Sequence, residues 1–181
     1  MTETLLPVAE ALRAALPEGW WLRDEDAGDG DLAFLSRLYA STRQEELAAV
    51  PWSDADKARF LDEQFRLQRQ HYRLHYAEAG FWVIERGDLP CGRVYVFASP
   101  SEYRLMDIAL LPEQRSQGIG AALVNALLAL ATTDHRAVTL HVEPNNPANR
   151  LYQRLGFDFV EDRGAYRFLR WSPPPIDRPA S

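Results

Sequence analysis

Apolar and polar positions change period several times along the chain, and each change marks an element. Over 5–16 the apolar residues are interrupted by Glu10 and Arg13, the pattern of a short amphipathic helix. Trp20, Trp21 and Leu22 suit a strand over 19–24, closed by a Gly/Asp-rich run over 26–31. Leu32, Leu35 and Tyr39 then recur at near-helical spacing. Ser53 with Asp56 three residues on is a capping signature, and Leu61, Phe65, Tyr72 and Tyr76 keep to one face of the long helix it opens. That helix is expected to reach about Tyr76 and to be ended by Gly80.

From Phe81 the period shortens. The runs 81–84, 92–98 and 103–111 read as strands of an antiparallel meander, separated by turn residues at 86–88 and 99–101. Gly118 opens a second helix with Ile119, Leu123, Ala126, Leu127 and Leu130 along one face and further apolar residues around it, so it is expected to be largely buried. A strand over 137–142, a helix over 146–155 and a closing pair of strands over 157–160 and 166–171 follow. Three consecutive prolines at 173–175 cannot join a sheet interior and start a loose tail. The expected organisation is a helical extension over 1–18, one domain over 19–172 and a tail over 173–181, with no internal repeat. The fold class is α/β with mixed strand order. A right-handed crossover from the strand ending at Leu111 to the one ending at Val142 would set those ends side by side.

Length and composition narrow the function. The chain has 181 residues, enough for one domain with a sizeable core, and 46% hydrophobic with 25% charged residues is ordinary for a packed globule. The net charge of −6 gives no basic footprint for nucleic acid, so no nucleic-acid partner is expected. No apolar run is long enough to cross a bilayer and no cleavage site follows a basic start, so no membrane partner is expected and the cytoplasm is the expected location. The single cysteine, Cys91, has no Cys or His at ligand spacing and is expected to be structural. His71 and His75 sit at i, i+4 without a third ligand in view, and no metal is expected.

The stretch from Leu110 to Leu123 carries the chemistry: a strand end, a polar loop, then glycines at a helix start. Unpaired N–H groups beside the positive end of a helix dipole suit a phosphate, and glycine lets the backbone approach it. No Lys-Ser or Lys-Thr follows, which excludes a P-loop, and Leu123 stands where a dinucleotide fingerprint needs glycine. Arg115-Ser116-Gln117-Gly118-Ile119-Gly120 resembles the Arg/Gln-x-x-Gly-x-Gly/Ala pyrophosphate loop of the GNAT superfamily of acyl-CoA N-acyltransferases. The preceding Asp107 to Pro112 is similar to that family's fourth strand. Asn145 to Phe157 resembles its Asn-x-x-Ala-x-x-Leu-Tyr-x-x-x-Gly-Phe signature, and the likeness is strongest over 81–171.

The resemblance implies a twisted, mostly antiparallel sheet with helices on both faces and splayed central strands, and an enzyme that moves acetyl from acetyl-CoA to a primary amine by direct attack. Acetyl-CoA is then a cosubstrate, and the other partner is a small-molecule or protein amine; a homodimer is compatible with the family. Pantetheine would lie along Ala109, Leu110 and Leu111, and the pyrophosphate on Gln114, Arg115, Ser116, Gln117, Gly118, Ile119 and Gly120. Asn145 and Asn146 compete for the family asparagine, and either can cap the following helix. Tyr152 matches the tyrosine that meets the CoA sulfur, although its spacing with Ala148, Leu151 and Leu155 also suits a core position. Arg104 occupies a position that is commonly acidic in the family, which leaves the base open between Glu102 and Asp107, on opposite faces of an ideal strand, and His141 and Glu143 on the next. Tyr72, His75 and Tyr76 are placed by analogy near the acceptor. A non-catalytic acyl-CoA-binding module and an unrelated nucleotide-binding domain are the alternatives.

Overall fold

A computed structural model describes residues 5–26 and 30–175. Residues 27–29 of the predicted Gly/Asp loop and 176–181 of the predicted tail lie outside the described residues. The elements run α1 (Leu6–Ala15), β1 (Trp20–Asp24), α2 (Leu32–Ala48), α3 (Asp54–His75), β2 (Gly80–Arg86), β3 (Leu89–Ala98), β4 (Glu102–Leu110), α4 (Ile119–Thr133), β5 (Ala137–Val142), α5 (Asn149–Arg154), β6 (Asp158–Arg163) and β7 (Tyr166–Trp171). The seven strands form one sheet in the order β1-β2-β3-β4-β5-β7-β6, antiparallel except for the parallel β4–β5 pair.

Strand alternation sorts side chains to two faces. Trp82, Ile84, Val94, Val96, Tyr103, Leu105, Val138 and Leu140 enter the larger core, which Leu5, Val8, Ala9 and Leu12 of the N-terminal segment share with Ile119, Leu123, Val124 and Leu127 of α4. The second core is smaller: Phe34, Leu35, Leu38 and Tyr39 of α2 and Phe65 of α3 close over Val83 and Leu111. The long helix is capped as the sequence predicts. The Ser53 hydroxyl accepts the Asp56 N–H at 3.1 Å, acids stand in the first turn, and Arg73 and His75 complement the dipole in the last. Of its predicted inner face only Phe65 is fully buried; Leu61, Tyr72 and Tyr76 remain partly open.

The parallel ladder between β4 and β5 is short. It runs from Glu102 opposite Ala137 to Leu105 opposite Leu140 and stops there, so over 106–110 β4 has no paired neighbour on its β5 side. The splay expected from the family resemblance is therefore present, and it opens toward α2 and α3.

Candidate active site

A β-bulge decides where the carboxylate of β4 points. Leu105 pairs with Val96 and Asp107 with Tyr95, so Met106 is an extra residue in the ladder. The insertion shifts the alternation by one and puts Asp107 on the same face as Arg104, and by alternation Glu102, toward α3. The expectation that Glu102 and Asp107 take opposite faces is thereby corrected; it assumed an unbroken period of two. The freed Met106 carbonyl accepts a hydrogen bond from the Tyr72 hydroxyl at 3.3 Å.

Asp107 is held from below. Arg93, 3% exposed on β3, meets its Oδ2 at 2.5 Å and donates to Gln68 of α3 at 2.8 Å. Among the described residues the other oxygen, Oδ1, has no hydrogen-bond partner. Behind Arg93, the buried Glu25 accepts from the Tyr95 hydroxyl and from Arg73 at 2.6 Å, with Arg69 at 3.4 Å. Buried charges of this kind persist only when paired, and the network rigidifies the wall on which Asp107 stands.

The splay opens into a cavity of about 500 Å³. Leu105 to Ala109 of β4 form one wall, with Leu140, His141 and Val142 of β5 opposite, while Tyr39 and Arg43 of α2, His71, Tyr72 and Tyr76 of α3, and Tyr166 close the far side. Tyr152 of α5 reaches the same space, buried and edge-on to Phe157 at 5.5 Å between ring centroids. Its backbone is fixed by the helix end: the Phe157 N–H donates to the Tyr152 carbonyl at 3.0 Å around left-handed Gly156, a Schellman-type closure. Burial first, and then the charge of Asp107, raises the phenol above its ordinary range.

Immediately after β4 the chain makes a short 3-10 turn over Pro112–Gln114 and reaches α4 through two left-handed residues, Ser116 at φ 61° and Gly118 at φ 83°. The Ala122 N–H is bonded to the Gly118 carbonyl at 2.9 Å, so the N–H groups of Ile119, Gly120 and Ala121 are the open donors of the helix start. A Cβ added at Gly120 would meet nothing within 4 Å. No packing among the described residues requires glycine there. Arg115 is committed elsewhere, Nε donating to the Leu110 carbonyl at 2.9 Å and Nη2 to the Ser41 carbonyl at 3.3 Å. Gln114 and Gln117 both accept from Arg86. Ala109 lines the cavity, while Leu110 and Leu111 turn their side chains into the core.

Asn146 lines the cavity, and its side chain accepts the Ala148 N–H at 2.9 Å in an Asx-type turn ahead of α5, whose N-cap, Ala148, has no side-chain cap; Asn145 and Asn146 are both exposed. Sequence reasoning missed Asn149, whose amide donates to the carbonyls of Glu143, Pro144 and Asn146 and ties the loop after β5 to α5. It also missed Arg43, which pairs with Glu143 across the cavity mouth, and Arg93; both bring together residues far apart in the chain. Glu102 does not line the cavity and is paired with Arg104 at 2.8 Å. His141 is stacked on Phe168 at 5.0 Å, and burial, then Arg104 and Arg163, lowers its pKa. His71 and His75 lie side by side at 4.6 Å, and among the described residues no group of three or more His, Cys, Asp or Glu could hold a metal. Cys91 is nearer the site than its sequence position suggests, because β3 starts where β4 ends and the Leu111 N–H donates to its carbonyl. Its thiol is nonetheless buried on the Ile84 carbonyl and pushed up to about 11 by that burial.

A family model described as the acetyltransferase (GNAT) family matches residues 35–157, well over half of the chain. The chain belongs to the acetyltransferase (GNAT) family. It is an enzyme of that class, with the mixed, twisted and mostly antiparallel sheet the fold requires. No curated protein matches the sequence. Among solved structures this GNAT protein is similar to the PaiA N-acetyltransferase of Thermoplasma acidophilum in complex with coenzyme A (TM-score 0.64, 14% identity, covering 84% of this chain and 98% of that one). It is also similar to PH1933 of Pyrococcus horikoshii (0.61, 16%, 86% and 99%) and to Naa50 of Arabidopsis thaliana in complex with the bisubstrate analogue CoA-Ac-MVNAL (0.55, 18%, 85% and 99%). At these identities the likeness is one of fold. Among the described residues no helix is long and apolar enough to cross a membrane.

Proposed function

We propose that this GNAT enzyme binds acetyl-CoA in the β4–β5 splay and transfers its acetyl group directly to a primary amine that enters the cavity from the α2–α3 side. The observation that carries the reading is continuity: the open helix start at Gly118–Gly120, the unpaired edge of β4 and the cavity with Tyr152 and Asp107 follow one another along a single strand. The pyrophosphate suits the N–H groups over 118–121, beside the left-handed Ser116 and Gly118. Pantetheine would add to the β5-facing edge of β4 as an extra strand, and a backbone N–H there would hold the oxyanion. The amine nitrogen attacks the thioester carbonyl carbon, its proton passing to Asp107 directly or through water, since Asp107 lines the cavity and Glu102 does not. Collapse of the tetrahedral intermediate breaks the carbon–sulfur bond, and Tyr152 donates toward the departing thiolate. The Thermoplasma relative is solved in complex with coenzyme A and the Arabidopsis one with the bisubstrate analogue CoA-Ac-MVNAL, which supports acetyl-CoA as the acyl donor.

The test pairs binding with turnover. Acetyl-CoA should raise the melting temperature where ATP and NAD at equal concentration do not, and an amine panel should release free thiol from acetyl-CoA. Equal stabilisation by ATP would point to a different phosphate ligand. Tight acetyl-CoA binding with no thiol release from any amine would favour a regulatory acyl-CoA-binding module.

A further inference from the structure

The cavity charges do not balance. Asp107 has Arg93 beside it and Glu143 has Arg43, all four on the cavity wall. Arg104 is on the wall too, but its carboxylate partner Glu102 is outside the lining, so the surplus positive charge belongs to Arg104. Its hydrogen bonding is also incomplete. Nη1 donates to the Tyr76 hydroxyl at 3.2 Å and Nη2 to Glu102 at 2.8 Å, while Nε is buried with no acceptor. A guanidinium carries five N–H groups, so each terminal nitrogen keeps one donor for a ligand. No protein carboxylate on the wall is left over to answer these donors.

We propose, on the reading that this cavity receives the acceptor, that the acceptor is a compact aminocarboxylate: Arg104 receives its carboxylate while its amine faces the free oxygen of Asp107. The bulge at Met106 makes this pairing available, because it brings Arg104 and Asp107 onto one face, separated by at most roughly 10 Å of strand. Planar guanidinium matches planar carboxylate, and the cavity wall supplies the low dielectric in which a charge-assisted bond counts most. The lowered pKa of His141, caused by burial and then by Arg104 and Arg163, agrees with a locally cationic wall. A polyamine suits this wall poorly, since its extra cations would face three guanidiniums and no carboxylate without a partner of its own.

The experiment measures thiol release from acetyl-CoA with the twenty L-amino acids, each against its own α-amide, which keeps the amine and side chain and removes the charge. At least one amino acid should exceed its amide in kcat/KM by about 10–150-fold, the range of a charged hydrogen bond. In Arg104→Met that ratio should fall to within about threefold of unity, and Arg104→Lys, which keeps a charge without the fork, should fall between. Melting temperatures of both variants establish that they fold. Amides used as well as the acids, no amino acid accepted at all, or an Arg104→Met protein that keeps the parental ratio each overturns the proposal. Calorimetry of acetyl-CoA with the parent protein separates the two readings. Failure to bind it sinks the transferase assignment itself, whereas binding with acid-blind turnover sinks only the aminocarboxylate.

Discussion

Replacing Tyr152 by Phe separates chemistry from packing. The ring is 5% exposed and rests on Phe157, and phenylalanine keeps that contact. The hydroxyl has no hydrogen-bond partner among the described residues, so its removal orphans nothing, and stability should change by less than about 1 kcal/mol. The chemical cost depends on how far the proton moves. Between ordinary values of about 10 for a phenol and about 8.5 for a thiol, complete transfer to the thiolate is uphill by about 2 kcal/mol. Burial and the charge of Asp107 raise the phenol further, while desolvation of the nascent thiolate raises its proton affinity in turn. A hydrogen bond to charged sulfur without transfer is worth about 1.5–3 kcal/mol, or about 10–150-fold in rate, and full general-acid catalysis about 10²–10⁴-fold. Tyr152→Phe should therefore slow the chemical step at least about tenfold. Acetyl-CoA affinity should stay within about twofold, because the hydroxyl acts on charge that develops only as the bond breaks. Single-turnover quench with acetyl-CoA bound is the assay, since slow product release hides chemical defects in steady state. A rate equal to the parent's removes Tyr152 from the mechanism.

Two further perturbations probe the walls. Gly120→Ala should leave the melting temperature equal or higher, because its Cβ meets nothing within 4 Å and alanine favours helix by about 1 kcal/mol, yet weaken acetyl-CoA by about tenfold or more in calorimetry; unchanged affinity would move the pyrophosphate elsewhere. His141 should titrate below its ordinary 6.5 by NMR, since burial, then Arg104 and Arg163, disfavour its charge. A depressed folded value contributes stability above about pH 6.5 that is lost as pH falls through the folded value, so the melting temperature of His141→Gln should fall less than the parent's between about pH 7 and 5; a parent His141 titrating at or above 6.5 would contradict the cationic wall.

The sequence displayed what local periodicity controls. Strands β5 and β7 begin and end where their apolar runs do, at Ala137–Val142 and Tyr166–Trp171, and the Ser53 cap is legible because it needs only residues three apart. Helix α5 is shorter than the predicted 146–155, starting at Asn149, because Asn146 and Asn149 spend their side chains on backbone groups of the preceding turn. Strand β6 starts at Asp158 and continues to Arg163, since Phe157 is drawn into the core at the helix end. The bulge at Met106 left no local trace, for it exists only as a mismatch between two strands. Nor did the ion pairs of Arg43 and Arg93, whose partners are 100 and 14 residues away.

The bulge and the splay together give β4 two kinds of access at one place. Its edge over 106–110 is open because β5 pairs no further than Leu140, and its face over 104–107 carries Arg104 and Asp107 because Met106 resets the alternation. An acyl donor lying along the edge and an amine arriving over the face would approach the same three or four residues at right angles. The thioester carbonyl and the nucleophile then meet without either having to cross the other. Such a crossing favours direct transfer over a relay through the protein, because no nucleophile need stand between the two substrates. Cys91, the single cysteine, agrees: its thiol is buried on a backbone carbonyl and held up to about 11, so little of it would be thiolate at neutral pH.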